Sequence, residues 1–414
     1  MGKKGVFMVC ALMWLLSACR TDDEVIDSEK EKLPDSTEVN GENILGLYLL
    51  CEGNMGSNKC TLDYLDLSQT PPVYNRNIYS ERNPDAIKEL GDVGNDIAIY
   101  GSRLWMVINM SNKVEVATAA DCKRIGKIDI PNCRSLAFHD GYAYVSSFYG
   151  PLLDPEDLEV GTIYKVDTLT LQKVDSVYVG WQPEEMAIKD GKLYVANSGG
   201  YRIPDYDRTI SVIDLKTFRE ERKIDVAINL HHLRFDHHGQ LWATSRGDYY
   251  DVPSRLYCLR PDSHGDMQVA QCFDTPVSNL CIVGDSLYFY GAQWSEATQK
   301  NTVSYGIINT KTMQMETPDF ASNLPSITIP YGIIVHPITR DVYLMDAKNY
   351  VSSGELFCLS PKGELRWSVR TGDIPGHACW KINSTNCLQR LSSRLGQIDT
   401  SIFGTHCSDN SSNS

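Results

Sequence analysis

One short hairpin pattern recurs along the chain and constrains its fold more than any other feature. The clearest copy is MAIKDGKLYVAN at residues 186–197, in which two apolar stretches flank an Asp-Gly pair. Such a pair between apolar runs predicts a tight β-hairpin, because the turn needs residues that tolerate positive φ. Copies recur about every 40 to 55 residues, a spacing typical of β-propeller repeats. The six copies occupy residues 97–107, 136–145, 186–195, 233–243, 280–289 and 332–344.

Each hairpin is followed by two further predicted strands, as at residues 209–217 and 222–226. Four antiparallel strands at this period predict a propeller blade, and a lone blade cannot bury both faces, so blades must stack into a ring. Serial sandwiches or a β-solenoid fit the spacing less well. A first copy at residues 47–78 lacks its innermost strand, which the chain directly after residues 371–377 should supply. The sequence therefore predicts an all-β, seven-bladed β-propeller with four-stranded antiparallel blades over residues 44–377.

The segments outside this range have a different composition. Lys3 and Lys4 precede an apolar run at residues 6–16 that is too short to span a bilayer, so residues 1–18 are predicted to be a signal peptide. Residues 19–43 are polar and charged, which predicts a flexible acidic tether. Residues 378–414 form a Ser/Asn-rich tail without alternation, predicted to be atypical and disordered, with 378–380 at most a poor closing strand.

The end of the signal peptide resembles a bacterial lipobox. Its residues are Leu16-Ser17-Ala18-Cys19, and the resemblance implies that Cys19 carries the lipids. The acidic cluster at residues 20–24 is similar to the export signal of surface lipoproteins in Bacteroidetes. The expected location is the outer membrane, exposed at the cell surface and in contact with the membrane through the anchor only. An ordinary secretory signal and a periplasm-facing anchor are the alternatives.

Charge and cysteine spacing exclude several function classes. A net charge of −14 without a basic cluster argues against a nucleic-acid partner. The scattered cysteines show no spacing that suits zinc. Two pairs of adjacent histidines occur, at residues 231–232 and 237–238. They are predicted to lie at opposite ends of one blade, where they cannot share a metal. We therefore predict neither a metal site nor a cofactor.

No common catalytic motif, such as G-x-S-x-G or H-E-x-x-H, occurs in the sequence. The expectation is a protein that is not an enzyme. A hydrolase or lyase is a less favoured alternative, since acidic residues are frequent in the long loops and two suitably spaced carboxylates can cleave a glycosidic bond. Those residues are Asp205, Asp207, Asp248 and Asp251.

The long loops are rich in aromatic and polar side chains that suit ligand binding. In a propeller, the loops between the second and third strands and the connections between blades emerge on one face, opposite the Asp-Gly turns. Aromatic rings there supply contact area, and amides and arginine supply directed hydrogen bonds. The predicted ligand-binding residues are Phe148, Tyr149, Trp181, Gln182, Tyr201, Tyr206, His231, Arg246, Tyr249, Tyr250, Trp294, Tyr331 and Tyr350.

The hairpin at residues 186–197 and the following ISVIDLKT at 210–217 resemble YncE-like seven-bladed propellers. With the lipobox, the segment EGNMGS at 52–57 and the segment TGDIPGH at 371–377, the chain is similar to surface lipoproteins of Bacteroidetes, including the BtuG type. That resemblance implies capture of a corrinoid such as cobalamin and its transfer to a TonB-dependent outer-membrane transporter. A glycan- or protein-binding propeller that uses the same face is the alternative.

Overall fold

The computed structural model describes residues 28–34, 44–86, 90–149, 160–295, 300–317, 319–321, 324 and 327–383, without the side chains of residues 293–295, 300 and 301. The predicted signal peptide and the acylation site Cys19 lie outside these ranges. Within them, 29 strands form seven antiparallel sheets. The innermost strands contact one another in a closed cycle, so the sheets are the blades of a seven-bladed propeller, as predicted. Among the described residues, no helix has the length and apolar character needed to cross a membrane.

The strands follow one another blade by blade. Blade 1 contains β1 (Glu29–Lys32), β2 (Ile44–Cys51), β3 (Thr61–Asp66), β4 (Val73–Arg76) and β29 (Pro375–Ile382), and the helix α1 (Ile78–Arg82) follows β4. Blade 2 contains β5 (Gly94–Tyr100), β6 (Arg103–Ile108), β7 (Lys113–Thr118) and β8 (Arg124–Asp129); blade 3 contains β9 (Cys133–His139), β10 (Tyr142–Ser147), β11 (Thr162–Asp167) and β12 (Lys173–Tyr178). Blade 4 contains β13 (Pro183–Lys189), β14 (Lys192–Asn197), β15 (Thr209–Asp214) and β16 (Arg219–Asp225); blade 5 contains β17 (Leu230–Phe235), β18 (Leu241–Ser245), β19 (Arg255–Pro261) and β20 (Met267–Phe273). Blade 6 contains β21 (Asn279–Val283), β22 (Ser286–Ser295), β23 (Lys300–Asn309) and β24 (Gln314–Thr317); blade 7 contains β25 (Pro330–Val335), β26 (Val342–Asp346), β27 (Ser353–Leu359) and β28 (Leu365–Asp373).

The repeated hairpin forms the two inner strands of blade 4. Lys189 pairs with Lys192, which leaves Asp190 and Gly191 as a two-residue turn. Their φ values are 51° and 74°. Positive φ at both central positions matches the right-handed twist of the flanking strands. The hairpin prediction is confirmed here, and the turn is the reason for the Asp-Gly pair.

Blade 1 is closed by the C-terminal strand β29, as the ring topology predicts. β29 pairs with β2, with Trp380 opposite Leu47 and Cys379 opposite Tyr48. The predicted boundary at residue 377 is wrong, because Ala378–Ile382 continues this strand instead of starting a tail. The reason is burial on both faces: Trp380 packs in the core between blades 7 and 1, and Cys379 packs in the core between blades 1 and 2. The remainder of the predicted tail, from residue 384, lies outside the described residues.

Part of the predicted tether also belongs to blade 1. β1 pairs with the outer strand β4, with Glu29 opposite Arg76 and Lys32 opposite Val73. Leu33 is buried, and its backbone N–H donates to the carbonyl oxygen of Pro72 at 2.9 Å. The prediction of a flexible tether is therefore wrong for these residues, because backbone pairing at the blade edge and one buried leucine order them. Other tether residues lie outside the described ranges.

The hydrophobic core lies between blades and not on the ring axis. Seven clusters of buried side chains are present in the described residues, and each fills the interface between two neighbouring blades. Trp105 between blades 2 and 3 and Trp242 between blades 5 and 6 are fully buried examples. Because apolar packing is complete between the blades, the inner strands can present polar side chains toward the axis.

Candidate functional site

A cavity of about 1320 Å³ lies along the axis of the ring. Its wall is formed by the innermost strands of all seven blades. Its mouth is surrounded by loops of the long-loop face, the face that carries the connections between blades and the loops between second and third strands. Ordinary small-molecule sites measure roughly 300 to 1,000 Å³. The cavity therefore has room for a ligand larger than a typical metabolite.

The wall changes from polar to apolar along each inner strand. On β13, Glu184 and Glu185 lie near the long-loop face, whereas Ile188 lies near the face of tight turns. On β17, His232 and Phe235 repeat this order. The polar half of the cavity is thus the half that opens toward the long loops.

Glu184 bridges two arginines from neighbouring blades in the polar half. Its Oε2 lies 3.1 Å from Arg134 Nη2 and its Oε1 lies 2.9 Å from Arg246 Nη1. Arg134 also donates to Asn95 Oδ1 at 2.9 Å, and its guanidinium lies 4.8 Å from the ring centre of Phe148. Burial alone would raise the pKa of Glu184, but the two guanidinium groups hold it below its usual value. The carboxylate is therefore charged, and it joins blades 3, 4 and 5.

A second group of charges is formed by Glu185, the next residue of β13, with two residues of β17. Glu185 Oε2 is 3.1 Å from His232 Nδ1, and the other carboxylate oxygen pairs with Arg234. Burial opposes ionisation of Glu185, but Arg234 and His232 outweigh it and lower its pKa to about 2. Between blades 2 and 3, the half-buried carboxyl of Asp96 accepts a hydrogen bond from the hydroxyl of Ser135 at 3.0 Å, and desolvation raises the pKa of Asp96.

A third group joins blades 7 and 1 through Glu52. Its Oε1 lies 3.0 Å from His377 Nε2, and its Oε2 accepts the hydroxyl of Tyr331 at 3.0 Å. Burial, together with the nearby carboxylate, raises the pKa of Tyr331 well above its usual value, so the phenol remains a donor. The segments EGNMGS and TGDIPGH, which are far apart in sequence, therefore meet in the cavity through these side chains.

His231 contributes an uncharged imidazole to the wall. Burial lowers the pKa of His231 well below its ordinary value, and the positive charge of Arg246 acts in the same direction. A neutral imidazole carries one hydrogen-bond donor and one acceptor. His231 can therefore bind a polar group of a ligand from the wall of the cavity.

Four exposed tyrosines surround the mouth of the cavity. Their exposed fractions range from 42% to 86%, although large aromatic side chains usually bury most of their surface. Exposed aromatic rings beside a cavity are typical of a surface that a ligand covers. The four residues are Tyr201, Tyr249, Tyr250 and Tyr350.

The structure brings eight of the thirteen predicted residues into the cavity wall or its mouth. They come from blades 3, 4, 5 and 7, as the topology requires. These residues are Phe148, Tyr201, His231, Arg246, Tyr249, Tyr250, Tyr331 and Tyr350.

Four other predicted residues do not line the cavity. Tyr149 packs edge-on against Tyr178, with ring centres 6.4 Å apart, and Trp181 lies under the guanidinium of Arg202 at 4.1 Å. The remaining two, Gln182 and Tyr206, are buried within the loops. Gln182 and Tyr206 support the loops from within, and Tyr149 and Trp181 pack against neighbouring side chains at the surface. Trp294 lies on β22, and its side chain is outside the described residues.

Apart from Arg246, the ionisable residues that form the paired groups of the wall were not among the predicted ligand-binding residues. Most of them lie on inner strands before or beside the apolar residues of the repeat, whereas Glu52 directly follows β2. Only Arg234 offers a signal of its own, because the corresponding positions of blades 3 and 4 carry Ala137 and Ala187. The residues missed in this way are Glu52, Asp96, Glu184, Glu185, His232, Arg234 and His377.

The fold and the axial cavity define a seven-bladed β-propeller with a polar site on one face. Within that class, the chain belongs to the DUF5074 family, which is described as a domain of unknown function and whose model matches residues 45–357. No curated protein matches the sequence.

Solved structures with a similar fold share little sequence with this chain. Hydrazine synthase of Kuenenia stuttgartiensis has a TM-score of 0.54 at 17% identity, over 69% of this chain and 88% of that chain. A quinonprotein alcohol dehydrogenase-like protein of Bacteroides thetaiotaomicron has a TM-score of 0.54 at 12% identity, over 82% of this chain and 79% of that chain. At such identities the similarity extends to the fold alone.

Proposed function

We propose that this protein is a lipid-anchored surface propeller, not an enzyme, that captures a small ligand in the axial cavity. The favoured ligand is a corrinoid such as cobalamin, which the protein would pass to a TonB-dependent outer-membrane transporter. The observation that carries the proposal is a cavity of about 1320 Å³ with exposed tyrosines around its mouth. The ligand class comes from the resemblance of the lipobox and the two cavity segments to corrinoid-capture lipoproteins.

The electrostatics of the wall favour a polar ligand without a strong net charge. Glu184 and Glu185 are already paired with arginines, and Glu52 is hydrogen-bonded to His377 and Tyr331. A strongly charged ligand would have to separate one of these pairs, and an unpaired buried charge costs several kcal/mol. Amide groups, in contrast, can bind to the remaining donors and acceptors without breaking a pair. A flat macrocycle with amide side chains, which is the chemistry of a corrinoid, fits this wall.

The direct test is titration of the full-length protein with cyanocobalamin. We expect binding with an affinity in the micromolar range or tighter. Replacing Tyr201, Tyr249 and Tyr250 together by alanine should cost about 3 kcal/mol, or about 150-fold in Kd, from ordinary aromatic contact energies. The matched control is Tyr178→Ala, which removes an exposed tyrosine that does not line the cavity.

Two results would overturn parts of this proposal. Failure of the folded protein to bind cyanocobalamin at micromolar concentration would remove the corrinoid as ligand. Binding with equal affinity in the triple variant and in Tyr178→Ala would place the site elsewhere on the surface.

A glycan is the second candidate ligand for the same site. Tyr249 and Tyr250 are 68% and 86% exposed and adjacent in one loop, and an exposed aromatic ring is a suitable platform for a sugar ring. Titration with a panel of oligosaccharides distinguishes the two candidates. Saturable sugar binding that the triple tyrosine variant loses, without any corrinoid binding, would favour the glycan.

A further inference from the structure

Two tight turns, on the face opposite the mouth of the cavity, bring three side chains of metal-binding types together. His237 and His238 lie between β17 and β18 of blade 5, and Asp285 lies in the turn between β21 and β22 of blade 6. Asp285 Oδ1 is 3.0 Å from His237 Nε2 and 2.7 Å from His238 Nε2. The three potential ligand atoms lie within 4.8 Å of one another. Sequence spacing could not reveal this group, because the third residue comes from another blade.

The turn that carries the histidines is held in place by one buried carboxylate. Asp236 Oδ1 accepts the backbone N–H groups of His238 at 3.0 Å and of Gln240 at 2.9 Å. Its Oδ2 accepts Gln240 Nε2 at 2.7 Å and Trp242 Nε1 at 2.9 Å. Four hydrogen bonds to one buried side chain fix the turn, so the backbone that carries both imidazoles is set before any ion binds.

The same hydrogen-bond network extends to the blade that carries the carboxylate. Gln240 Nε2 also donates to the carbonyl oxygen of Thr310 at 2.8 Å. The backbone N–H of Thr310 donates to the carbonyl oxygen of Asp285 at 2.8 Å. The two turns are therefore held at a fixed separation by contacts that do not involve the three ligand atoms.

We propose that His237, His238 and Asp285 bind one divalent transition-metal ion that links blades 5 and 6, with water completing its coordination. Two imidazole nitrogens and one carboxylate oxygen suit Zn²⁺, with bonds of about 2.0 to 2.2 Å. The ligand atoms then need to lie about 3.3 Å apart for a tetrahedral ion. The two distances from Asp285 Oδ1 to the histidine nitrogens, 3.0 and 2.7 Å, are a few tenths of an ångström shorter than that. Small rotations of side chains on a rigid turn accomplish this.

Two features limit the expected affinity. The site offers three protein ligands, whereas closed structural zinc sites have four. Arg340 also lies beside the hairpin, with its guanidinium 2.9 Å from the position that a Cβ on Gly284 would occupy. Its positive charge opposes a bound cation. We therefore expect micromolar affinity for Zn²⁺.

The test is calorimetric titration of metal-free, full-length protein with ZnCl₂ at pH 7.5. We expect one equivalent to bind, and we expect His238→Ala and Asp285→Asn each to weaken binding at least 30-fold. The matched control is His264→Ala, because His264 is 83% exposed and has an acidic neighbour, Asp262, but lies outside the group. Circular dichroism of the metal-free variants checks that each is folded.

A second measurement reports the link between blades. An ion that binds only the folded protein raises the melting temperature, by about 4 °C for a domain of this size at a free Zn²⁺ concentration of 100 times Kd. This shift should occur in the wild type and in His264→Ala, and should be absent in Asp285→Asn. The proposal is overturned by absence of binding at 1 mM Zn²⁺, or by binding that both His238→Ala and Asp285→Asn leave unchanged.

Discussion

The strand that closes the ring makes the stability of the propeller depend strongly on Trp380. Its indole is 5% exposed and meets the rings of Tyr343 and His336 on blade 7 at centre distances of 5.3 and 5.0 Å. Its Nε1 donates to the carbonyl oxygen of Val335 at 3.3 Å. Replacing a buried tryptophan by alanine costs about 3 to 5 kcal/mol, from lost transfer energy and the cavity left behind. Trp380→Phe retains much of the apolar surface but loses the hydrogen bond, so we expect a loss of about 1 to 2 kcal/mol.

The assay is equilibrium unfolding in urea at 25 °C and pH 7.5, followed by circular dichroism. We expect the urea midpoint to fall in the order wild type, Trp380→Phe and Trp380→Ala, with the slope unchanged. The matched control is Trp181→Ala, which removes a surface cation–π contact with Arg202 and should cost no more than about 1 kcal/mol. A loss for Trp380→Ala no larger than that of the control would refute the idea that this strand stabilises the ring.

Two further predictions concern buried ionisable groups. Burial lowers the pKa of His336 from 6.5 to about 4, so the unfolded chain binds the proton more readily, and stability present above pH 6.5 should fall by about 3 kcal/mol as the pH drops to 4. Urea midpoints measured across this range should fall less in His336→Asn, and equal losses in the two proteins would contradict the assignment. Glu184→Gln leaves Arg134 and Arg246 without their buried counter-charge and should cost about 3 kcal/mol at pH 7.5. A urea midpoint that matches the wild type would show that this pairing does not stabilise the fold.

The repeat pattern was sufficient to predict the ring, but it did not predict β1 or the end of β29, the two edge strands of the blade 1 sheet. Strands such as β13 and β14 are recognisable because alternating side chains and an Asp-Gly turn reflect their burial and their twist. β1 has the sequence EKEK with every side chain exposed, so its order depends on backbone pairing, which leaves no apolar pattern. The end of β29 was missed for the opposite reason. Cys379 and Trp380 face different blades and are both buried, so this strand shows no alternation of apolar and polar residues.

Topology predicted which face carries the cavity, but not which loop side chains point into it. Trp181 and Tyr201 are both aromatic residues in loops of the same face, yet only Tyr201 lines the mouth. The difference depends on local backbone geometry, such as the positive φ of 44° at Gln182, which redirects the chain directly after Trp181. No residue type at position 181 or 182 signals that change, so sequence reasoning treats the two aromatics alike.

The paired charges of the wall connect the stability of the ring to the proposed binding site. Glu184 and Glu185 join blade 4 to its neighbours, and Glu52 joins blade 1 to blade 7. Because each of these three carboxyl groups already has an ion-pair or hydrogen-bond partner, the wall is set before a ligand arrives, and little side-chain ordering is left to oppose binding. The exposed rings of Tyr249 and Tyr250 lie on blade 5, beside two of these pairs. We therefore expect contact area to come from the tyrosines and selectivity to come from the charged wall of blades 3 to 5.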